Sequence, residues 1–266
     1  MFKTKSFMAM LALCCSSSFF AAMPSLAQVE ATFTFSPLEI NFAPTGQRAT
    51  QSFVVSNTGK KSAAIQIRMV KREMDIDGKD ITTDADDDFI VYPPQMLVKA
   101  GERQTIRVTW VGNTPPNQEL AYRIIAEQLP VDLTEITQTQ GATTVSIKVL
   151  FAYIGSVYVV PPNVSPDVVL ESSVCEPETD KAGKTSNKLL LTFANQGTAH
   201  AILNNPRLTL APVSNPSNSV VLEAKQILEV AGKNILAGGK RRFSLPCPAG
   251  LPNGKLTATF DYYRGN

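Results

Sequence analysis

Apolar residues in this chain mostly alternate with polar ones instead of recurring every three or four positions, and 18 prolines are spread through it. Period two is the spacing of a strand with one buried face, and prolines at this density break helices. Short apolar runs separated by turn signals every 8–12 residues predict β-sandwiches. Residues 33–42 hold alternating Phe33 and Phe35, then Pro37, which predicts an edge strand or one that switches between sheets. Strands follow at 51–56 and at 63–71, where Ile65, Ile67 and Met69 form a buried face, and a short one at 89–92. Gly101 turns the chain before Ile106, Val108 and Trp110 alternate. In 119–129, Leu120, Tyr122 and Ile124 take one face, and Glu119, Ala121, Arg123 and Ile125 take the other. Residues 130–144 are polar and read as a loop, and one last strand spans 145–160.

That last strand is the unusual one. Val145, Ile147, Val149, Phe151 and Tyr153 share one face, while Ser146, Lys148, Leu150 and Ala152 share the other. A strand with a bulky row on one face and a partly apolar row behind it is either enclosed in a core or pairs outside its own domain. It runs into Pro161-Pro162, which reads as a boundary. Beyond it, strands are predicted at 168–170, 188–194, 201–203, 207–210, 220–222, 227–230, 240–245 and 256–262, with turns at 195–197 and 237–239. The expected organisation is residues 1–27 as a signal peptide, 28–161 as a first immunoglobulin-like domain and 162–266 as a second.

The signal peptide reading rests on Lys3 and Lys5, two short apolar patches and the small-x-small site Ser25-Leu26-Ala27. The apolar run is short of the ~20 residues a membrane span needs, so membrane insertion is disfavoured. Removing it takes Lys3 and Lys5 from 25 basic residues and leaves 23 against 23 acidic ones. A neutral mature chain carries no footprint for nucleic acid. Cys175 and Cys247 remain after cleavage, and two cysteines in an exported chain read as one disulfide.

Chemistry is sparse. With His200 as the one histidine, paired-histidine schemes are excluded and a Ser–His reading is weakened, no Gly-rich phosphate cradle exists, and no cofactor is implied. His200 itself reads as a surface or packed structural residue. Residues 75–80, Asp-Ile-Asp-Gly-Lys-Asp, resemble part of a calcium loop, but position twelve is Asp86 where such loops carry Glu. The preferred reading of 75–88 is a solvated acidic hairpin loop.

Several motifs coincide: Leu97 and then Gly101-Glu102-x-Gln104-x-Ile106-Arg107-Val108; Glu119-Leu120-x-Tyr122-Arg123-Ile124 ending Gln128-Leu129-Pro130-Val131; and the alternating row running into the interdomain prolines. Together they resemble the PapD-like periplasmic chaperones of the chaperone–usher pilus pathway, with an archaic-branch flavour. The resemblance implies an all-β protein of two immunoglobulin-like β-sandwich domains in an L-shaped arrangement, and a non-enzymatic role. It implies that the last strand of the first domain fills the gap in an incomplete pilus subunit, with Ile147, Val149 and Phe151 at the centre of the row and Val145 and Tyr153 as extensions. An open apolar groove with an unpaired edge aggregates unless another strand covers it. An outer-membrane usher would receive the subunit, and the connection at 130–144 resembles that of the short-loop members. The competing expectation for the row is that it packs in its own core.

The family anchors the subunit's terminal carboxylate with an Arg and a Lys, and this chain has Glu39 and Ser156 near those positions. Neither is a cation, so a replacement is expected: Arg123 first, because it shares a face with Glu119, and Lys148 second. Glu119 and Asp261 match two acids of the family's interdomain charge cluster, while Val160 stands where its Arg would be. Whether the free chain caps its strand by dimerising is left open. The rival expectation is a structural or adhesive sandwich protein retained in the fibre.

Overall fold

The structure, a computed structural model, describes residues 32–113, 116–130, 135–140, 143–179 and 181–264, with the backbone alone for 135–148. The expected signal peptide at 1–27 lies outside the described residues. In chain order the strands before residue 160 are β1 (Phe33–Ser36), β2 (Glu39–Phe42), β3 (Thr50–Asn57), β4 (Ala63–Met74), β5 (Asp80–Asp84), β6 (Phe89–Tyr92), β7 (Gln95–Val98), β8 (Arg103–Trp110), β9 (Leu120–Gln128), β10 (Glu135–Gln140), β11 (Thr143–Lys148) and β12 (Ala152–Val159).

Pro37 cuts one apolar run into β1 and β2, because proline donates nothing to a ladder. β1 pairs antiparallel with β3 in a sheet ordered β1-β3-β8-β6, and β2 crosses to run parallel to β12 in a second sheet ordered β2-β12-β9-β4-β5. β7 also pairs with β4. Phe53, Val55, Ile106 and Val108 from one sheet meet Ile65, Met69, Ile124 and Val157 from the other, all at most 2 % exposed. Phe89 sits at the aromatic centre, with ring centroids 5.6 Å from Phe42, 5.2 Å from Trp110 and 4.9 Å from Tyr122. The Tyr122 hydroxyl donates to Asp88 Oδ2 at 2.8 Å. Burial, reinforced by that carboxylate, pushes the Tyr122 phenol far above its usual range.

Three expectations for this half need correction. The acidic loop read at 75–88 contains β5, which pairs antiparallel with the end of β4. The loop read at 130–144 contains β10, which forms an antiparallel hairpin with β11. The strand read as continuous over 145–160 is two strands, β11 and β12, separated by Val149–Phe151. The β12–β9 register ends with Ala152 opposite Glu127, and one further bond follows, from the Gln128 amide to the Phe151 carbonyl at 2.9 Å, before β9 runs out and Pro130 stops the ladder.

The second half comprises β13 (Val168–Thr179), β14 (Thr185–Asn195), β15 (Ala201–Ile202), β16 (Asn204–Pro212), β17 (Val220–Glu223), β18 (Asn234–Ile235), β19 (Lys240–Pro246) and β20 (Gly254–Tyr263). The ladders β13-β14-β19 and β17-β16-β20 join where Val174 and Cys175 pair with Lys255 and Gly254. Phe193 of β14 meets Phe260 of β20 at 4.7 Å across the sandwich. The chain is thus an all-β protein of two β-sandwiches. Residues 227–230 are a turn and not the expected strand: the Val230 amide donates to the Ile227 carbonyl at 2.9 Å, and both side chains plug the core from that turn. The expected disulfide is present, with Cys175 and Cys247 Cα atoms 5.8 Å apart.

Candidate functional site

The site grows from one cross-strand row on the outer face of the second sheet. Tyr122 and Ile124 of β9 point into the core, so Arg123 between them must point out. Arg123 lies opposite Val70 of β4 on one side and Ser156 of β12 on the other, and Ser156 lies opposite Glu39 of β2. Of the two positions aligned with the family's anchor, Ser156 is the cross-strand neighbour of Arg123, and Glu39 lies one strand beyond it. On β4 the outward phase carries Arg68 and Arg72, and the Arg72 side chain is only 5 % exposed.

A second guanidinium joins Arg123 through the acidic segment. Asp80, the first residue of β5, accepts from Arg72 Nε at 2.9 Å with Oδ1 and from Arg123 Nε at 2.8 Å with Oδ2. Arg123 Nη2 approaches Oδ2 to 2.6 Å, and its Nη1 donates to Ser156 Oγ. Burial alone would raise the Asp80 carboxyl, but the hydrogen bonds and charges of Arg72 and Arg123 outweigh it and hold the carboxyl below its usual range. The carboxylates of 75–80 diverge onto cations and turn amides and do not converge on a common point: Asp75 Oδ1 accepts from the Asp77 and Lys79 amides, and Asp77 pairs with Arg242.

The Asp75–Lys79 turn also reaches the second sandwich. Arg242 grips Asp77 through Nε at 3.0 Å and Nη2 at 3.2 Å, and its amide donates to the Ile76 carbonyl. Gly78 has φ +84, and a Cβ there would collide with the Arg241 guanidinium. Arg241 in turn donates to the Asn234 carbonyl at 2.7 Å.

Glu119 immediately precedes β9 at the same junction, with its side chain 3 % exposed. Its carboxylate accepts the His200 amide at 3.1 Å and faces His200 Nδ1 at 2.6 Å, so Nδ1 carries a proton. The His200 ring stacks on Tyr158 at 4.0 Å, and the Tyr158 hydroxyl accepts from Asn234 at 2.7 Å and from Arg72 at 3.4 Å. His200 is thus a packed interdomain residue. A crevice of about 380 Å³ opens here, lined by Arg72, Glu119, Ala121, Leu236 and Lys240 among others.

The expected site residues fall in three groups. Glu119 lines the crevice, and Arg123 shares Asp80 with Arg72, which also lines it. Asp261 is exposed on β20 opposite Arg207 and shares no hydrogen bond or ion pair with Glu119 among the described residues. Of the apolar row, Val145 and Ile147 lie on β11, paired in backbone register with Gln138 and Ile136, and Lys148 ends that strand opposite Glu135. Val149 is half-buried between the two ladders. Phe151 and Tyr153 pack against the first core, with Tyr153 and Phe33 rings 5.0 Å apart. Asp80, Arg72 and an apolar strip beside Arg123 were not read from the sequence. In that strip Leu38 is 51 % and Ile154 60 % exposed, and the Ser156 amide donates to the Leu38 carbonyl at 2.7 Å. The outward phase of β12 held the signal for Ile154; nothing local marked Asp80.

Fold and cleft together define a two-sandwich protein with a cationic row on the sheet that carries the last strand of the first domain. Residues 39–152 match the family model described as pili and flagellar-assembly chaperone, PapD N-terminal domain, so that segment is PapD-like. Its fold matches that of the Class 5 fimbriae chaperone CfaA, with TM-score 0.50 at 16% identity over 87% of this chain and 100% of that one. A chain of a chaperone–tip adhesin complex of CFA/I fimbriae matches with TM-score 0.50 at 17% identity over 80% of this chain and 87% of that one. A chain of the CsuC-CsuE chaperone–tip adhesion subunit complex of Acinetobacter baumannii matches at 20% identity and TM-score 0.48, covering 81% and 91%. A comparison with curated protein sequences returned no match. No helix among the described residues is long and apolar enough to cross a membrane.

Proposed function

We propose that this chain is a periplasmic pilus-assembly chaperone, not an enzyme, which holds an incomplete pilus subunit by lending it a strand and delivers it to an outer-membrane usher. The observation that carries the reading is the match of residues 39–152 to the PapD N-terminal domain. The lent segment is 145–153, with Val145, Ile147, Val149, Phe151 and Tyr153 as its row. Supporting this, Val149 and Leu150 belong to neither the β11 nor the β12 ladder among the described residues. A subunit edge would pair there and bury the row, each side chain contributing ~1.5–3 kcal/mol before ordering costs. Arg123 is the cation for the subunit's terminal carboxylate, since it lies opposite Ser156 and in the same cross-strand row as Glu39, the two positions where the family's cations are missing.

The test is co-expression in the periplasm with the pilins encoded beside it, followed by capture of the intact chain, of Val149→Asp plus Phe151→Asp, and of Arg123→Gln. A stoichiometric complex with the intact chain, lost in the folded double variant, supports strand lending. Retention in Arg123→Gln removes the anchor assignment. Absence of a complex with every pilin favours a structural surface protein retained in the fibre.

A further inference from the structure

We propose that Asp80 is a resident occupant of the Arg72–Arg123 site: its carboxylate holds the place that a subunit's terminal carboxylate takes, and only a carboxylate delivered on a pairing strand displaces it. This rests on the reading of Arg123 as the anchor.

Asp80 presents the same chemical group as the incoming ligand, and it is already bound by both guanidiniums, through Oδ1 to Arg72 and through Oδ2 to Arg123. The Arg72 and Arg123 side chains are 5% and 19% exposed, and Arg241 is close enough for its charge and that of Arg72 to repel. Three guanidiniums at a largely dehydrated junction need an anion whether or not a subunit is present. A resident carboxylate meets that need in the free chain. Exchange for a subunit's carboxylate then leaves the net charge of the site unchanged.

The placement of Asp80 makes the exchange feasible. β5 ends the sheet order and pairs only with β4, and its positions from Ile81 to Asp84 are all exposed. An edge residue next to a turn can swing its side chain to solvent without opening a core. Asp80 also sets the threshold for entry. As a tethered competitor it acts at a high effective concentration, so a free small carboxylate loses to it. A terminal carboxylate carried on a strand that also buries apolar side chains along β12 arrives with its own high effective concentration and wins. The pair thus discriminates a subunit's end from the small carboxylates dissolved around it.

The probe is sodium acetate, titrated at constant ionic strength into the mature chain while the arginine Nε–H resonances are followed by NMR. In the wild-type protein the Arg72 and Arg123 signals should stay in place. In Asp80→Asn both should move saturably, with acetate affinity raised roughly tenfold or more. Asp80→Ser repeats the test where the amide itself bonds to the arginines. In Asp80→Asn with Arg123→Gln the Arg72 movement should vanish. Equal acetate response in wild type and both Asp80 variants, or none in either variant while their spectra stay native, overturns the proposal. The anchor reading is separated by the captured pilin complex. If Arg123→Gln keeps the pilin although Asp80→Asn admits acetate, the anchor fails, and with it the proposed ligand. If Arg123→Gln loses the pilin and acetate never enters, the anchor stands and the resident role of Asp80 falls.

Discussion

Asp80 and Arg123 are paired across an intervening strand: β4 lies between β5 and β9, yet Asp80 Oδ2 is 2.6 Å from Arg123 Nη2. The contact passes over the outer face of the sheet, beside Arg72 of the strand it spans. It ties an edge strand to the sheet centre and fixes the pH response of the junction. The Asp80 carboxyl is held below its unfolded value of 3.8. A depressed carboxylate adds stability that is full above the unfolded pKa and is lost as pH falls through the folded one. Wild type should therefore lose Tm more steeply than Asp80→Asn on acidification below about pH 4, and the two profiles should run parallel above about pH 5. Parallel profiles throughout would show that the arginines do not hold Asp80.

Glu119 and His200 form a buried polar contact between the sandwiches. Glu119→Ala strips the partner from the His200 amide and ring at once, and a buried hydrogen bond to a charged group is worth about 1.5–3 kcal/mol. Urea unfolding should show a loss of about 2 kcal/mol. His200→Phe keeps the stacking on Tyr158 and removes only the ring hydrogen bond, so its loss should be smaller.

Gly78 and Gly101 have similar backbone angles, φ +84 and φ +77, but different surroundings. Alanine at either costs about 1 kcal/mol of backbone strain. At Gly101 nothing lies within 4 Å of the new Cβ, whereas at Gly78 it meets the Arg241 guanidinium, pinned by the Asn234 carbonyl and stacked over Phe243. Gly78→Ala should lower the unfolding midpoint clearly more than Gly101→Ala, and the excess should shrink in an Arg241→Ala background.

Much of this architecture is legible in the sequence because burial follows the period of the apolar residues. Ile65, Ile67 and Met69, then Ile106, Val108 and Trp110, face the core as their alternation requires, and Pro37 marks the sheet switch. Arg123 was legible for the same reason, since its face follows from Tyr122 and Ile124. What was hidden depends on pairing between distant segments. The role of Asp80 needs the β4–β5 register and its reach over β4. The break at Val149–Phe151 reflects where β9 ends, which the 145–153 pattern does not contain. Ile227 and Val230 misled because a spacing of three inside a turn and a short strand are both simply apolar.

The Cys175–Cys247 bond closes a loop with sequence separation 72. Loop-closure entropy for a cross-link of that span is about 4 kcal/mol, so reduction should destabilise the second sandwich by an amount of that order. Chemical unfolding with and without reductant measures it. An unfolding curve that splits under reductant, with the Trp110 fluorescence transition unmoved, would place the loss in the second half, because Trp110 reports on the first core.

Ile154 separates binding from folding. It is 60 % exposed on the outward face of β12, two residues from Ser156, while its neighbours Tyr153 and Val157 face the core. Ile154→Asp removes no core contact, so its unfolding free energy should stay within about 0.5 kcal/mol of wild type. If the strip formed with Leu38 is part of the subunit contact, the same variant should lose most of the captured pilin, since an aspartate there must be desolvated beside a subunit. Tyr153→Ala differs in its effect on folding: it opens a gap against Phe33 and should cost about 2–4 kcal/mol. Full pilin capture by Ile154→Asp would confine the contact to the row at 145–153 and leave the exposed strip without a role in it.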